Sequence, residues 1–121
     1  MSYPQHISGR AAENFACEFL QKQGLQLLQR NYSCKLGEID LVMQTAEYCI
    51  FVEVRFRRHR QYGGALESIT PAKQRRLILA ASHFLQQRPA YASMPCRFDV
   101  VAVSSSGQQY SAEWVQAAFT G

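Results

Sequence analysis

The chain opens with apolar residues at helical spacing. Five of them recur at intervals that place them on one face: Ala12, Phe15, Ala16, Phe19 and Leu20. This stripe predicts a helix over residues 8–23, because positions three and four apart are neighbours on a helix surface. Ser8 is the expected N-cap, and Gly24 suits the left-handed conformation that ends many helices.

Three shorter apolar segments follow the first helix. Residues 25–32, 37–44 and 48–57 predict strands, since they are short and rich in β-branched and aromatic residues. Their short connections predict an antiparallel meander. Val42-Met43 and Ile50-Phe51-Val52 are continuous apolar runs, which are typical of strands covered on both faces.

A second helical pattern occupies residues 71–87. Thr70 is its expected cap, and Pro71 stands at the first helical position, where proline is favoured. Residues 96–103 predict a fourth strand, which the helical crossover would place parallel to an earlier one. Residues 110–119 predict either a short strand or a last helical turn.

The element order α-β-β-β-α-β predicts an α/β fold in which helices flank a mixed β-sheet. The 121 residues contain no repeat or linker, so we expect one domain over residues 1–121. No run approaches 18 apolar residues and the first residues lack signal-peptide features, so we expect a cytoplasmic protein without a membrane partner. The four cysteines have wide, irregular spacings, which argues against a structural zinc site.

The positive charge is concentrated in one segment. The chain carries a net charge of +4, but residues 53–76 contain seven basic residues against two acids, and the remainder is slightly acidic. A focused basic patch attracts polyanions, above all nucleic acid. The alternative is a solvated basic loop with no ligand.

Two acids lie within predicted core strands, where burying a charged carboxylate costs free energy. Asp40 interrupts the apolar sequence of the second strand, and Glu53 that of the third. Pairing through the turn at residues 45–47 would bring them together, and their repulsion in a low-dielectric site favours a bound cation such as Mg²⁺ or Mn²⁺. The alternative is that Asp40 pairs with a buried arginine and Glu53 with Arg55. A further pair on one strand face, Arg97 and Asp99, is more typical of structure than of catalysis.

The sequences Gly37-Glu38-Ile39-Asp40-Leu41-Val42 and Phe51-Val52-Glu53-Val54-Arg55 resemble the PD-(D/E)xK nuclease superfamily, and more closely the bacterial UPF0102 family, also called YraN. The likeness extends along the chain through these further residues: Gly9, Glu13, Asn31, Gly63, Ser68-Ile69, Lys73 and Arg97-Phe98-Asp99-Val100-Val101. The resemblance implies a restriction-endonuclease-like fold, similar to that of archaeal Holliday junction resolvases. A homodimer is implied by the same analogy.

By this resemblance, Glu13, Asp40 and Glu53 are the expected metal-binding acids. Arg55 stands where the superfamily usually has lysine. Arginine stays protonated and cannot act as a base, but it can hold a phosphate and stabilise developing charge. Lys73, in the first turn of the second predicted helix, could share that work; the alternative is a surface lysine.

The resulting hypothesis is a metal-dependent endonuclease that hydrolyses DNA, with branched DNA as one candidate substrate. Its catalytic residues would be Glu13, Asp40, Glu53, Arg55 and Lys73. Its contacts to nucleic acid would come from the basic segment: Arg57, Arg58, Arg60, Tyr62 and Arg76. A non-catalytic nucleic-acid-binding module on the same fold is the main alternative, and an adaptor protein with acids paired in its core is another.

Overall fold

A five-stranded mixed β-sheet organises the structure, a computed structural model that describes residues 5–57, 69–106 and 109–121. The helices are α1 (Gln5–Lys22), α2 (Pro71–Gln87) and α3 (Pro89–Ala92), and the strands are β1 (Gln26–Cys34), β2 (Gly37–Gln44), β3 (Cys49–Arg57), β4 (Cys96–Ser106) and β5 (Gln109–Phe119). Within these ranges, no helix combines the length and the apolar character needed to cross a membrane.

The strands lie side by side in chain order, and the predicted meander of β1, β2 and β3 is confirmed. The crossover through α2 makes β4 parallel to β3, with Cys49 opposite Cys96. The tail forms the long strand β5, antiparallel to β4, so the strand alternative for this segment is the correct one. The predicted α/β fold, a mixed sheet flanked by helices, is therefore confirmed.

Each face of the sheet packs against one long helix. On one face, Ala12, Ala16 and Leu20 of α1 share a cluster with strand residues that include Val52 and Val101. On the other face, Leu77, Ala80, Ala81 and Phe84 of α2 pack with a second set of strand residues, Phe51 and Val100 among them. Both faces are covered, as the continuous apolar runs of β2 and β3 predicted.

The helix ends agree with the sequence in two places and differ in one. Thr70 caps α2 by accepting a hydrogen bond from the Lys73 amide at 3.2 Å, and Gly24 has a φ of 98° after the end of α1. The prediction that Ser8 caps α1 is wrong, because the helix already includes Gln5 and Ser8 lies inside it. Residues 5–7 contain neither glycine nor proline, so nothing in them stops the helix from extending.

Gly37 marks a close approach between the start of β2 and the backbone of α2. A Cβ atom at Gly37 would lie 3.0 Å from the Arg76 carbonyl oxygen and 3.3 Å from the Arg76 Cβ, whereas one at Gly9 would meet nothing within 4 Å. We expect Gly37→Ala to lower the free energy of unfolding by about 1–3 kcal/mol through overpacking. The matched change Gly9→Ala in α1 should leave it unchanged or raise it by about 0.5–1 kcal/mol. Urea unfolding of both variants tests this, and equal effects would contradict it.

Candidate metal centre

The candidate centre lies where β2 and β3 stop pairing. Their antiparallel register runs from Gln44 opposite Cys49 to Leu41 opposite Val52 and ends there. Beyond this point, and among the described residues, β2 pairs only with β1, and β3 only with β4. Asp40 and Glu53 are the next residue on each strand. The strands therefore form a fork, and the two acids stand at its opening.

The side chain of Asp40 forms a hydrogen bond to β3 at the point where the backbone pairing of β2 and β3 ends. Its Oδ2 atom accepts a hydrogen bond of 2.8 Å from the Val54 amide. This bond satisfies a backbone donor that has lost its strand partner, and it fixes the carboxyl group beside β3. Asp40 thus meets Glu53, as the predicted turn at residues 45–47 requires.

The carboxyl group of Asp40 is poorly suited to carry its charge alone. Burial raises the pKa of Asp40 from 3.8 to about 7, with the negative charge of Glu53 as the next cause and the more distant Glu13 as a smaller one. The hydrogen bond from Val54 opposes this rise, whereas one with the Glu53 side chain adds to it. Near neutral pH the free protein therefore holds Asp40 partly protonated, and a bound cation would replace that proton.

Glu53 is buried and is contacted by two cations. The Lys73 Nζ atom lies 2.9 Å from Glu53 Oε2, and the Arg55 Nη1 atom lies 3.5 Å from the same oxygen. The Glu53 side chain is only 8% exposed, so these contacts offset much of the cost of burying its charge. Lys73 contacts this acid from the first turn of α2, and its side chain is 38% exposed.

The alternative explanation of the acids holds only in part. Glu53 does contact Arg55, as that explanation requires, although the contact to Lys73 is shorter. Among the residues that the structure describes, no arginine or lysine forms an ion pair with Asp40. Asp40 is therefore a buried acid without a cationic partner in the described ranges.

Glu13 belongs to a neighbouring hydrogen-bond cluster. Its Oε1 atom accepts from Arg30 Nε at 3.0 Å, from Arg30 Nη2 at 2.7 Å and from Asn31 Nδ2 at 3.0 Å. Arg30 also donates to Asn14 Oδ1 at 2.7 Å. In the described ranges, no group of three or more acid, histidine or cysteine side chains is placed to hold one metal ion. The role of Glu13 as a third metal ligand therefore stays a prediction.

A local irregularity in β1 makes this cluster possible. Neighbouring strand residues normally point to opposite faces, yet both Arg30 and Asn31 reach Glu13 on the α1 side. Asn31 has a φ of 53°, in the left-handed region that asparagine tolerates better than most residues. The next residue, Tyr32, faces α2, where its hydroxyl hydrogen-bonds to His83 Nδ1.

A cavity of about 660 Å³ connects the two groups of residues. Asp40 and Glu13 both contribute to its wall, together with Gly9, Arg10, Arg30 and Phe56 among others. Arg10, Asn14 and Arg30 did not emerge from the sequence as site residues. Arg30 carried a signal, because a charged residue follows the apolar start of β1, but nothing in that pattern shows which helix it faces.

The predicted contacts to nucleic acid lie mostly outside the described residues. Arg58, Arg60 and Tyr62 belong to the segment 58–68, which is not described. Arg57 is the last residue of β3, and Arg76 is exposed on α2. The nucleic-acid surface thus stays a prediction. By contrast, Arg97 and Asp99 do form the expected structural pair, with Arg97 Nε 2.8 Å from Asp99 Oδ1.

Comparison with known proteins yields one family. The model of the family described as "Uncharacterised protein family UPF0102" matches residues 12–103, a span that includes Glu13, Asp40, Glu53 and Lys73. The chain is 51% identical to a UPF0102 protein of Nitrosococcus oceani over 92% of its own length and 90% of the relative's. It is 52% identical to one of Stutzerimonas stutzeri, covering 93% of both chains, and 55% identical to one of Pseudomonas putida, covering 93% and 92%.

Proposed function

The chain belongs to the UPF0102 family, and we propose that it is a divalent-metal-dependent endonuclease that hydrolyses phosphodiester bonds of DNA. The observation that carries this proposal is the pair of carboxyl groups at the fork between β2 and β3. The hydrogen bond from the Val54 amide fixes Asp40 beside β3, next to Glu53, and Glu53 forms an ion pair with Lys73 of α2. A buried acid pair beside lysine and arginine is an arrangement suited to metal-assisted phosphate chemistry.

The donor set fits Mg²⁺ or Mn²⁺. Both ions prefer oxygen ligands, and Mg²⁺ is commonly held by one or two carboxylates while water and substrate phosphate fill the other positions. Asp40 Oδ2 is engaged by the Val54 amide and Glu53 Oε2 by Lys73, and the two acid side chains also share a hydrogen bond. A cation would replace the proton of that bond and take the remaining carboxylate oxygens as ligands. Glu13 would assist from the cavity side through Oε2, since Oε1 accepts the bonds from Arg30 and Asn31.

The bound metal would supply a Lewis acid and a water molecule of lowered pKa. The protein's own residues have the remaining tasks. Lys73 and Arg55 hold Glu53 in place and present positive charge to the phosphate whose bond is cleaved. Arg55 stays protonated and cannot remove a proton from water. The superfamily that the sequence resembles usually has a lysine at this position. Lys73, whose Nζ atom lies 2.9 Å from the Glu53 carboxylate, would take the place of that lysine.

The charge distribution supports DNA as the substrate. Residues 53–76 carry most of the positive charge of the chain and begin at Glu53 itself. Arginines there would bind the phosphate backbone without reading base sequence, Tyr62 would stack on an exposed base, and branched DNA is the candidate we would assay first. A second copy of the chain is a proposed partner only by analogy with junction resolvases.

Metal binding and cleavage test the proposal together. Calorimetric titration with Mg²⁺ and Mn²⁺, in the presence of a short uncleavable DNA, should detect binding by the wild type and none by Glu53→Gln. Cleavage of linear and branched DNA should fall by at least about 10²-fold in the same variant. Glu47→Gln is the matched control, because Glu47 is exposed in the turn between β2 and β3, and it should behave as the wild type.

The non-catalytic alternative gives different results. A nucleic-acid-binding module would bind DNA with equal, salt-sensitive affinity whether or not a divalent metal is present. If the wild-type protein binds no metal, even with DNA present, the proposed nuclease activity is ruled out and the binding module is left as the alternative. If the protein has no affinity for DNA at low salt, both the nuclease and the binding module are ruled out.

A further inference from the structure

The cavity on the α1 side of Asp40 contains an arginine that is already fixed in position. Two of the Arg30 nitrogens, Nε and Nη2, are held by Glu13 Oε1 and by Asn14 Oδ1 at 2.7–3.0 Å. The Arg30 side chain is 33% exposed, and its Nη1 atom makes no hydrogen bond with any residue that the structure describes. The guanidinium group thus keeps donors for a ligand while its orientation is set by the protein.

A second cation, Arg10, lines the same cavity. Arg10 is exposed at the start of α1 and forms no ion pair within the described ranges. Two acids line the same cavity, but Glu13 is paired with Arg30, and Asp40 is engaged by the Val54 amide and Glu53. Within the described ranges, Arg10 is therefore the charged side chain of this lining that is left to contact a ligand. A ligand between Arg10 and Arg30 is therefore expected to be an anion, and planar forked donors suit the oxygens of a phosphate.

The remaining walls suit the rest of a nucleotide. Val54 and Phe56 make an apolar side to the cavity, and Gly9 adds no side chain to it. The volume of about 660 Å³ lies within the range of about 300–1,000 Å³ that is usual for sites of small ligands. An aromatic wall beside a phosphate-binding arginine is a common way to hold a nucleotide unit.

We propose that this cavity is a subsite for one nucleotide of the substrate strand, with its phosphate on Arg30 and Arg10 and its sugar or base against Phe56. The subsite includes Asp40 in its wall, so it would hold the nucleotide that adjoins the bond to be cleaved. The identity of the bond rests on the proposed nuclease function. The affinity of the cavity for a nucleotide does not, and it can be measured without cleavage.

Binding of mononucleotides tests the subsite directly. Thymidine 5′-monophosphate and thymidine 3′-monophosphate are titrated into the wild type, with and without Mg²⁺, and followed by NMR chemical shifts. At least one of them should bind, and Arg10→Gln and Arg30→Gln should each weaken that binding by about ten-fold. Lys22→Gln removes the same charge from the far end of α1 and should have no effect. Thymidine and inorganic phosphate, each lacking half of the ligand, should bind more weakly than the nucleotide.

Arg10→Gln guards against a folding artefact, because Arg10 is exposed. Arg30→Gln, by contrast, removes the bonds from Arg30 to Glu13 and Asn14 and leaves Glu13 with only the one from Asn31 among the described residues. Unchanged nucleotide affinity in both arginine variants, or thymidine binding as tightly as its phosphates, would overturn the subsite. If the wild type cleaves DNA and Arg10→Gln does not raise KM, the subsite fails while the nuclease stands. If nucleotide binding depends on the arginines but no cleavage occurs, the subsite stands and the proposed activity fails.

Discussion

Asp40→Asn is expected to abolish divalent-metal binding and DNA cleavage while making the metal-free protein more stable at pH 8. The amide side chain can still accept the hydrogen bond from Val54, but it carries no charge to bury beside Glu53. Loss of a carboxylate ligand should reduce cleavage by at least about 10³-fold, since the metal would supply both the Lewis acid and the activated water.

The direction of the stability change follows from the pKa of Asp40. Its value rises from 3.8 to about 7 on folding, so the folded chain binds more protons than the unfolded chain between these limits. Stability then falls as pH rises through this range, and above it the ionised group costs the fold roughly 2–4 kcal/mol. The variant should lack this loss.

Thermal unfolding between pH 5 and pH 8, without divalent metal, measures the difference. The wild type should lose stability as pH rises, and Asp40→Asn should depend on pH less steeply. Added Mg²⁺ should raise the wild-type melting temperature at pH 8 and leave that of Asp40→Asn unaltered. A variant less stable than the wild type at pH 8 would show that the charge of Asp40 stabilises the fold. It would contradict the cost of ionising Asp40 that its raised pKa implies.

Asp99→Ala is expected to have the opposite effect, a large loss of stability with no loss of metal affinity. The side chain of Asp99 is fully buried and accepts four hydrogen bonds: from Arg97 Nε at 2.8 Å, and from Arg97 Nη2, Trp114 Nε1 and the Ala117 amide at 2.9 Å each. Alanine would leave the partly buried guanidinium and two further donors unpaired, which should cost about 3–5 kcal/mol.

The cost should concentrate on β5, because Trp114 and Ala117 tie that strand to Asp99 and Ala117 has a φ of 50°. Urea unfolding measures the loss, and calorimetry below the unfolding transition checks that Mg²⁺ still binds. Asp99→Asn, which keeps two polar atoms, should lose less. A stability within about 1 kcal/mol of the wild type for Asp99→Ala would mean that the network contributes little.

The meeting of Asp40 with Glu53 was predictable because it depends on local structure. The short turn between β2 and β3 and the apolar runs on either side set the register of the hairpin, and the register sets which residues are opposite. The same applies to Thr70 and Gly24, whose effects act within one turn of a helix. Patterns that repeat along the chain therefore predicted most of the elements.

The cavity was not predictable in the same way. Strand alternation places Arg30 and Tyr32 on one face, yet the left-handed conformation of Asn31 sends them to opposite sides of the sheet. The contact between Lys73 and Glu53 depends on where α2 packs, which no local pattern states. The tail was ambiguous because β5 lies at the edge of the sheet and is mostly half-buried or exposed, so its apolar residues follow no strict alternation.

The parallel pairing of β3 with β4 has a consequence for the order in which the centre can assemble. Asp40 and Glu53 are brought together by a hairpin that closes only a few residues, a contact with a small entropic cost for the unfolded chain. Lys73 joins them only when α2 docks on the sheet, and α2 belongs to the crossover whose two strands pair Cys49 with Cys96, residues that are distant in the sequence. Contacts of this range form late because their loop must be closed first. We therefore expect a folding chain to bring the two carboxylates together before it acquires the lysine that contacts one of them.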